Sequence, residues 1–127
     1  MQDSHSPRWQ RITGIVLSVL PAAMLVMSGV MKVSANPEMI AESAKGGVTE
    51  SMLLRIGVTE LVCVVLYLAP PTAVLGAILI SAFMGGAVFA HVLKGDPFII
   101  PVAVSVLAWA GLWLRDPRLR ALLPIRR

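Results

Sequence analysis

Apolar residues fall into four long blocks, Ile12–Val33, Met52–Ala69, Ala73–Leu93 and Phe98–Leu114, each bounded by polar or turn-forming residues. Within a block they run almost without interruption, where the face of a soluble helix would show a stripe every third or fourth residue. The blocks are about 22, 18, 21 and 17 residues long, and a spanning helix needs roughly 17–25. In lipid every backbone amide has to be paired within its own segment, so each block is expected as a helix and not as a strand. The pattern predicts an all-α membrane protein, an antiparallel bundle of four transmembrane helices forming a single domain over residues 1–127.

The punctuation between blocks supplies the connections. Residues 34–51 form the one long loop, and within it Asn36, Pro37, Glu38 and Gly46 carry the cap, first-turn and stop signals of a short helix on the outer side. Pro70-Pro71 closes the second span with a tight turn, and Lys94-Gly95-Asp96-Pro97 makes another between the third and fourth. Short connections make the second, third and fourth spans antiparallel neighbours. Pro21 should kink the first span unless a neighbour satisfies the freed carbonyl. Small residues recur at steps of four in the third span, as Ala73, Ala77, Ser81 and Gly85 and as Ala82, Gly86 and Ala90. Such rows let helices approach closely, so Ala77, Ser81, Gly85 and Gly86 are expected at helix contacts, with the third span the central one.

Composition agrees with the pattern. The chain is 57% hydrophobic and only 14% charged, with a mean hydropathy of +0.80. A soluble domain carries about a quarter charged residues. Arg8 and Arg11 before an apolar run that meets Pro21-Ala22-Ala23 loosely resemble a signal peptide, but the apolar character continues about ten residues further, so an uncleaved span is expected.

Charge then sets the orientation. The net charge of +4 would suggest nucleic acid in a soluble protein. Here Arg8 and Arg11 precede the first span, while Arg115, Arg118, Arg120, Arg126 and Arg127 follow the fourth. Lys and Arg near spans collect on the cytoplasmic side. Both termini are therefore expected inside, in the cytoplasmic (inner) membrane, with no nucleic-acid partner. The basic tail, residues 115–127, alternates arginines with Leu119, Leu122, Leu123 and Ile125, which suits the inner headgroup layer and anionic lipids. Cys63 is the single cysteine, so no internal disulfide, thiol pair or zinc cluster can form. No metal site is expected.

Four ionisable residues interrupt the spans: Lys32, Arg55, Glu60 and His91. Counting at 1.5 Å per residue, Arg55 lies roughly 6 Å and Glu60 roughly 13 Å from the outer end of the second span. Lys32 closes the first span and His91 lies one turn from the outer end of the third, so all four occupy the outer half. Arg55 and Lys32 are shallow enough to reach headgroups. Glu60 is not. A charge near the midplane costs about 2.5–3.5 kcal/mol on insertion scales, so it must be paired, protonated or set in a polar cavity. Arg55 is turned from it by about 140° along the same helix. Lys32, His91 or another subunit would pair better. Ser28 and Gly29 share the stripe of Lys32, and Gly57 that of Glu60. These glycines would let the two helices meet, or leave room for a ligand.

The pairing of Ser28-Gly29-x-x-Lys32 with Leu54-Arg55-x-Gly57-x-x-Glu60-Leu61, followed by a glycine- and alanine-rich span ending near His91, resembles the DoxX-like family of small four-helix membrane proteins. The resemblance implies a small subunit associated with quinone-linked membrane redox chemistry, with Lys32, Arg55, Glu60 and His91 as the polar positions of interest. It also admits a redox partner protein or a homo-oligomer. The missing thiol pair argues against direct thiol chemistry, and a bis-histidine haem would need two subunits.

Three readings follow. The chain is a non-catalytic subunit or binding protein for a quinone-like lipophile, a stand-alone membrane enzyme using Glu60 as acid and base, or a structural and assembly protein whose polar cluster staples helices.

Overall fold

The computed structural model describes residues 6–123, and every regular element among them is helical. The elements are α1 (Arg8–Val33), α2 (Pro37–Lys45), α3 (Glu50–Leu68), α4 (Ala73–Lys94), α5 (Ile99–Arg115) and α6 (Pro117–Leu122), with a 3-10 turn at Pro70–Thr72 before α4. By length and composition α1, α3 and α4 (with its turn) can cross a membrane. α5 is equally apolar but has 17 residues.

Local chemistry explains where the helices begin and end. Asn36 Oδ1 accepts from the amides of Glu38 and Met39 at 3.1 and 3.2 Å, with Pro37 at the first position of α2. Thr49 Oγ1 accepts from Met52 N at 3.3 Å and starts α3. Gly95, in the left-handed region at φ 73°, stops α4. α1 begins at Arg8, four residues before the apolar block, and runs unbroken through the buried Pro21. The last four residues of the polar lead, 8–11, are thus helical, because the first turn of a helix tolerates polar groups that reach water.

The four long helices form a ring in which α1 and α4 each touch α3 and α5. A Cβ on Gly14 would meet Arg115 N, and one on Gly111 would lie 2.7 Å from Ser18 N, so α1 and α5 run antiparallel in close contact. α1 and α3 meet likewise at Gly29 and Gly57, where a Cβ on Gly57 would lie 3.0 Å from Gly29 O. α3 and α4 cross near the 3-10 turn, where Gly76 lies against the backbone of Tyr67. One end of the bundle therefore holds the start of α1, the α3–α4 hairpin and α6. The other holds α2. We name them the hairpin end and the α2 end.

Aromatic residues with a polar handle knit the hairpin end. Tyr67 is fully buried and its hydroxyl donates to Ala108 O at 2.7 Å. Trp109 Nε1 donates to Ser81 Oγ at 2.7 Å, joining α5 to α4. The Arg115 guanidinium lies 5.2 Å from the centre of the Tyr67 ring. Asp116 accepts from Arg118 N at 3.0 Å and starts α6.

Three expectations need correction. α4 is not central, because the ring has no central member. Its small residues divide: Ala73 and Ala77 are buried and Ser81 serves Trp109, but Gly85 and Gly86 face outward with nothing within 4 Å of an added Cβ. They make no helix contact, since their face of α4 points out of the ring while the adjacent Met84 is buried in the core. The basic tail is not simply laid on headgroups either. Leu119 is buried in the core, and Arg120 hydrogen-bonds Gln10 and Ser6 near the start of α1. Ile125, Arg126 and Arg127 lie outside the described residues.

Gly76→Ala should lower stability by about 1–3 kcal/mol through backbone overpacking, whereas Gly85→Ala should leave it unchanged or slightly raised. Thermal unfolding in detergent checks both. Tyr67→Phe should cost less, about 0.6 kcal/mol, the average for a hydrogen bond between membrane helices.

Candidate functional site

The helices that touch at the hairpin end separate toward the α2 end. One stripe of α4 shows this directly. Gly76 lies against α3, while Phe83, Ala87, Ala90 and Lys94, further along the same flank, line a cavity of about 590 Å³. Met24 and Leu25 of α1, Ile56 of α3 and Val104 of α5 complete its apolar wall. Ala82, Gly86 and Ala90 of α4, Met24 of α1 and Ile100 of α5 line it and are exposed, so the cavity opens to the side of the bundle.

At its deep end sits Glu60, 2% exposed. Lys32 Nζ donates to Glu60 Oε2 at 2.7 Å, and Ser28 Oγ donates to the same oxygen at 3.4 Å. Lys32 also donates to Ser28, which lies one turn before it on α1. The network exists because Gly29 and Gly57 bring α1 and α3 together beside it: a Cβ on Gly57 would lie 2.8 Å from Lys32 Cβ. Lys32 keeps 15% of its side chain exposed against 3% for Glu60. The pair is thus a buried carboxylate answered by a partly accessible ammonium, an arrangement in which losing the cation harms more than losing both charges.

His91 lines the same cavity nearer the α2 end, half-buried, and does not reach the Glu60 network. Its Nδ1 lies 2.7 Å from Ala87 O one turn back. A carbonyl only accepts, so the ring proton is on Nδ1. At the mouth Lys94 folds its chain across Gly46, where an added Cβ would come within 2.5 Å of Lys94 Cε. That places its ammonium near α2, whose Glu42 carboxyl is held below the ordinary value by the hydrogen bond and charge of Lys45 and, more weakly, by Lys94. The linker after α2 and Lys94 thus meet at this end of the bundle.

Arg55 is not brought to this cavity. It faces outward on α3, away from the cavity, and the only contact of note is its carbonyl accepting from Thr59 Oγ1 at 2.8 Å. The 140° turn that separates it from Glu60 on one helix sends it to the outside. Cys63 is a buried free thiol in the core. Among the described residues no group of three or more His, Cys, Asp or Glu is placed to hold a metal ion.

Sequence reasoning missed Lys94 and Asp96 at the mouth, which read only as turn residues, and the apolar wall from four different helices. It also missed the close approaches at Gly14, Gly76 and Gly111. A polar-handled aromatic inside a span, such as Tyr67 or Trp109, was the one available signal that backbone or hydroxyl groups of a neighbour lay close by.

Searches of curated proteins and of solved structures found no match. A family model does match: that of the DoxX-like family, over residues 16–112. This covers both faces of the Lys32–Glu60 pair, the cavity wall and the helix crossings, and the chain belongs to the DoxX-like family.

Proposed function

We propose that this DoxX-like membrane protein binds a lipophilic molecule with a polar head, of the quinone kind, in the cavity above Glu60, and serves as a non-catalytic subunit beside a redox partner. The observation that carries the reading is the buried Lys32–Glu60 pair at the base of a largely apolar cavity of about 590 Å³. Ligand pockets of ~300–1,000 Å³ with a few convergent polar groups are the usual form of small-molecule sites. The sideways opening suits a molecule dissolved in the bilayer. Four spans are part of the proposal: α5, at 17 residues, reaches about 25 Å, close to a hydrocarbon core. Arg8, Arg11, Arg115, Arg118 and Arg120 share the hairpin end, which supports placing that end and both termini in the cytoplasm.

A second reading is favoured by the same pair, since Lys32, Ser28 and Glu60 join α1 to α3 where their backbones meet and could serve as a staple alone. Native mass spectrometry and an absorption spectrum of gently extracted protein separate the two. A bound lipophile, retained by the wild type and lost in Glu60→Gln at similar thermal stability, is expected. A bare mass, with Glu60→Gln merely less stable, would make the pair a staple. Lys32→Met should cost about 3–5 kcal/mol by stranding Glu60, and adding Glu60→Gln should restore most of it, as read by thermal unfolding. In a Cys63→Ala background, Ala41→Cys on α2 should react with a membrane-impermeant maleimide on intact cells. Arg118→Cys should react only after lysis, and the reverse pattern would invert the orientation.

A further inference from the structure

Hydrogen-bonding capacity inside the cavity is unevenly used. Glu60 receives both of its protein donors on one oxygen, Oε2, from Lys32 and Ser28. Its other oxygen, Oε1, has no hydrogen-bond partner among the described residues, although the side chain is 97% buried and lines the cavity. His91 is committed in the same sense. Because Nδ1 carries the proton donated to Ala87 O, the neutral ring presents a bare lone pair on Nε2. Asp96 adds a carboxylate at the mouth. Donors are scarcer. The Ser28 proton is directed at Glu60, Lys32 has one N–H beyond its bonds to Ser28 and Glu60, and Lys94 extends away over Gly46. The helical backbone satisfies its own amides.

We infer that the cavity selects ligands whose heads donate hydrogen bonds, that is, hydroxyl-bearing lipophiles such as alkylphenols and the dihydroxy form of a quinone, ahead of their ethers or the dicarbonyl form. The inference rests on the binding reading above and narrows its ligand class. The physical reason is that an acceptor-only head would give Glu60 Oε1 no donor and bring a lone pair against it. An O–H supplies the missing partner. A site built around a hydrogen bond rejects the analogue lacking it far more strongly than an apolar pocket distinguishes two similar shapes.

The test is equilibrium binding of radiolabelled 4-decylphenol and 4-decylanisole to the full chain in lipid nanodiscs at pH 8, with empty nanodiscs subtracted. Decylbenzohydroquinone under reducing conditions and decylbenzoquinone under oxidising conditions form a second pair. The phenol should bind about tenfold tighter than its methyl ether or better, and His91→Phe should shrink that ratio. Equal or tighter binding of the ether would overturn the inference, as would saturable binding of neither. The two proposals fail differently. If the phenol is preferred but neither benzoquinone form binds, the quinone reading falls and donor selection stands. If both quinone forms bind alike and the ether matches the phenol, the quinone reading stands and donor selection falls.

Discussion

A carboxylate buried among apolar helices cannot be left without a counter-charge, and the architecture around Glu60 is organised by that requirement. Lys32 is the nearest cation that can reach it, and it can do so only because Gly29 and Gly57 let α1 and α3 touch at the same level. Ser28 fills a further position on the same oxygen. In a medium of low dielectric the two charges hold each other far more firmly than they would in water. The contact thereby fixes the register of the first two long helices.

The hairpin end supplies the opposite condition. There the helices meet backbone to backbone, at Gly14 with Gly111 and at Gly76 with Tyr67, and Tyr67 and Trp109 add hydrogen bonds across them. A bundle drawn tight at one end can splay at the other without losing its packing. α3 and α4 do so, which is why a flank of α4 that is in contact at Gly76 lines open space from Phe83 to Lys94. The cavity follows from the crossing, and its apolar wall is what remains when lipid-facing helices part. Its polar chemistry is confined to the Glu60 network at the base, His91 on the wall and the charged residues at the mouth.

α2 and α6 finish the two ends in different ways. α2 is held by its own cap and the Lys45–Glu42 pair at 2.9 Å, and buries none of its residues, so it rests on the bundle without entering the core. α6 buries Leu119 and reaches the start of α1 through Arg120, tying the two described ends of the chain together. The tight end is thus also the anchored one, while at the other end α2 touches α1 and α3 and the Lys94 chain lies against Gly46.

Some of this was legible in the residues alone. Continuous apolar blocks in lipid can only be helices, so the long helices and the proline and glycine turns between them follow from local chemistry. Glu60 stood out for a similar reason: the cost of an unpaired charge at that depth is a property of the residue and its position along its own helix. Arg55 illustrates the limit. Depth groups it with Lys32, Glu60 and His91 and the turn of about 140° separates it from Glu60, but only the packing of α3 decides which of the two faces outward. Gly85 and Gly86 illustrate the same limit from the other side, since small residues permit a close approach but do not compel one. Which small residues meet a neighbour, and where two helices part to leave a cavity, depends on crossing angles set by distant contacts such as Gly76 with Tyr67. Those are properties of four helices packed together, and only the tertiary structure decided them.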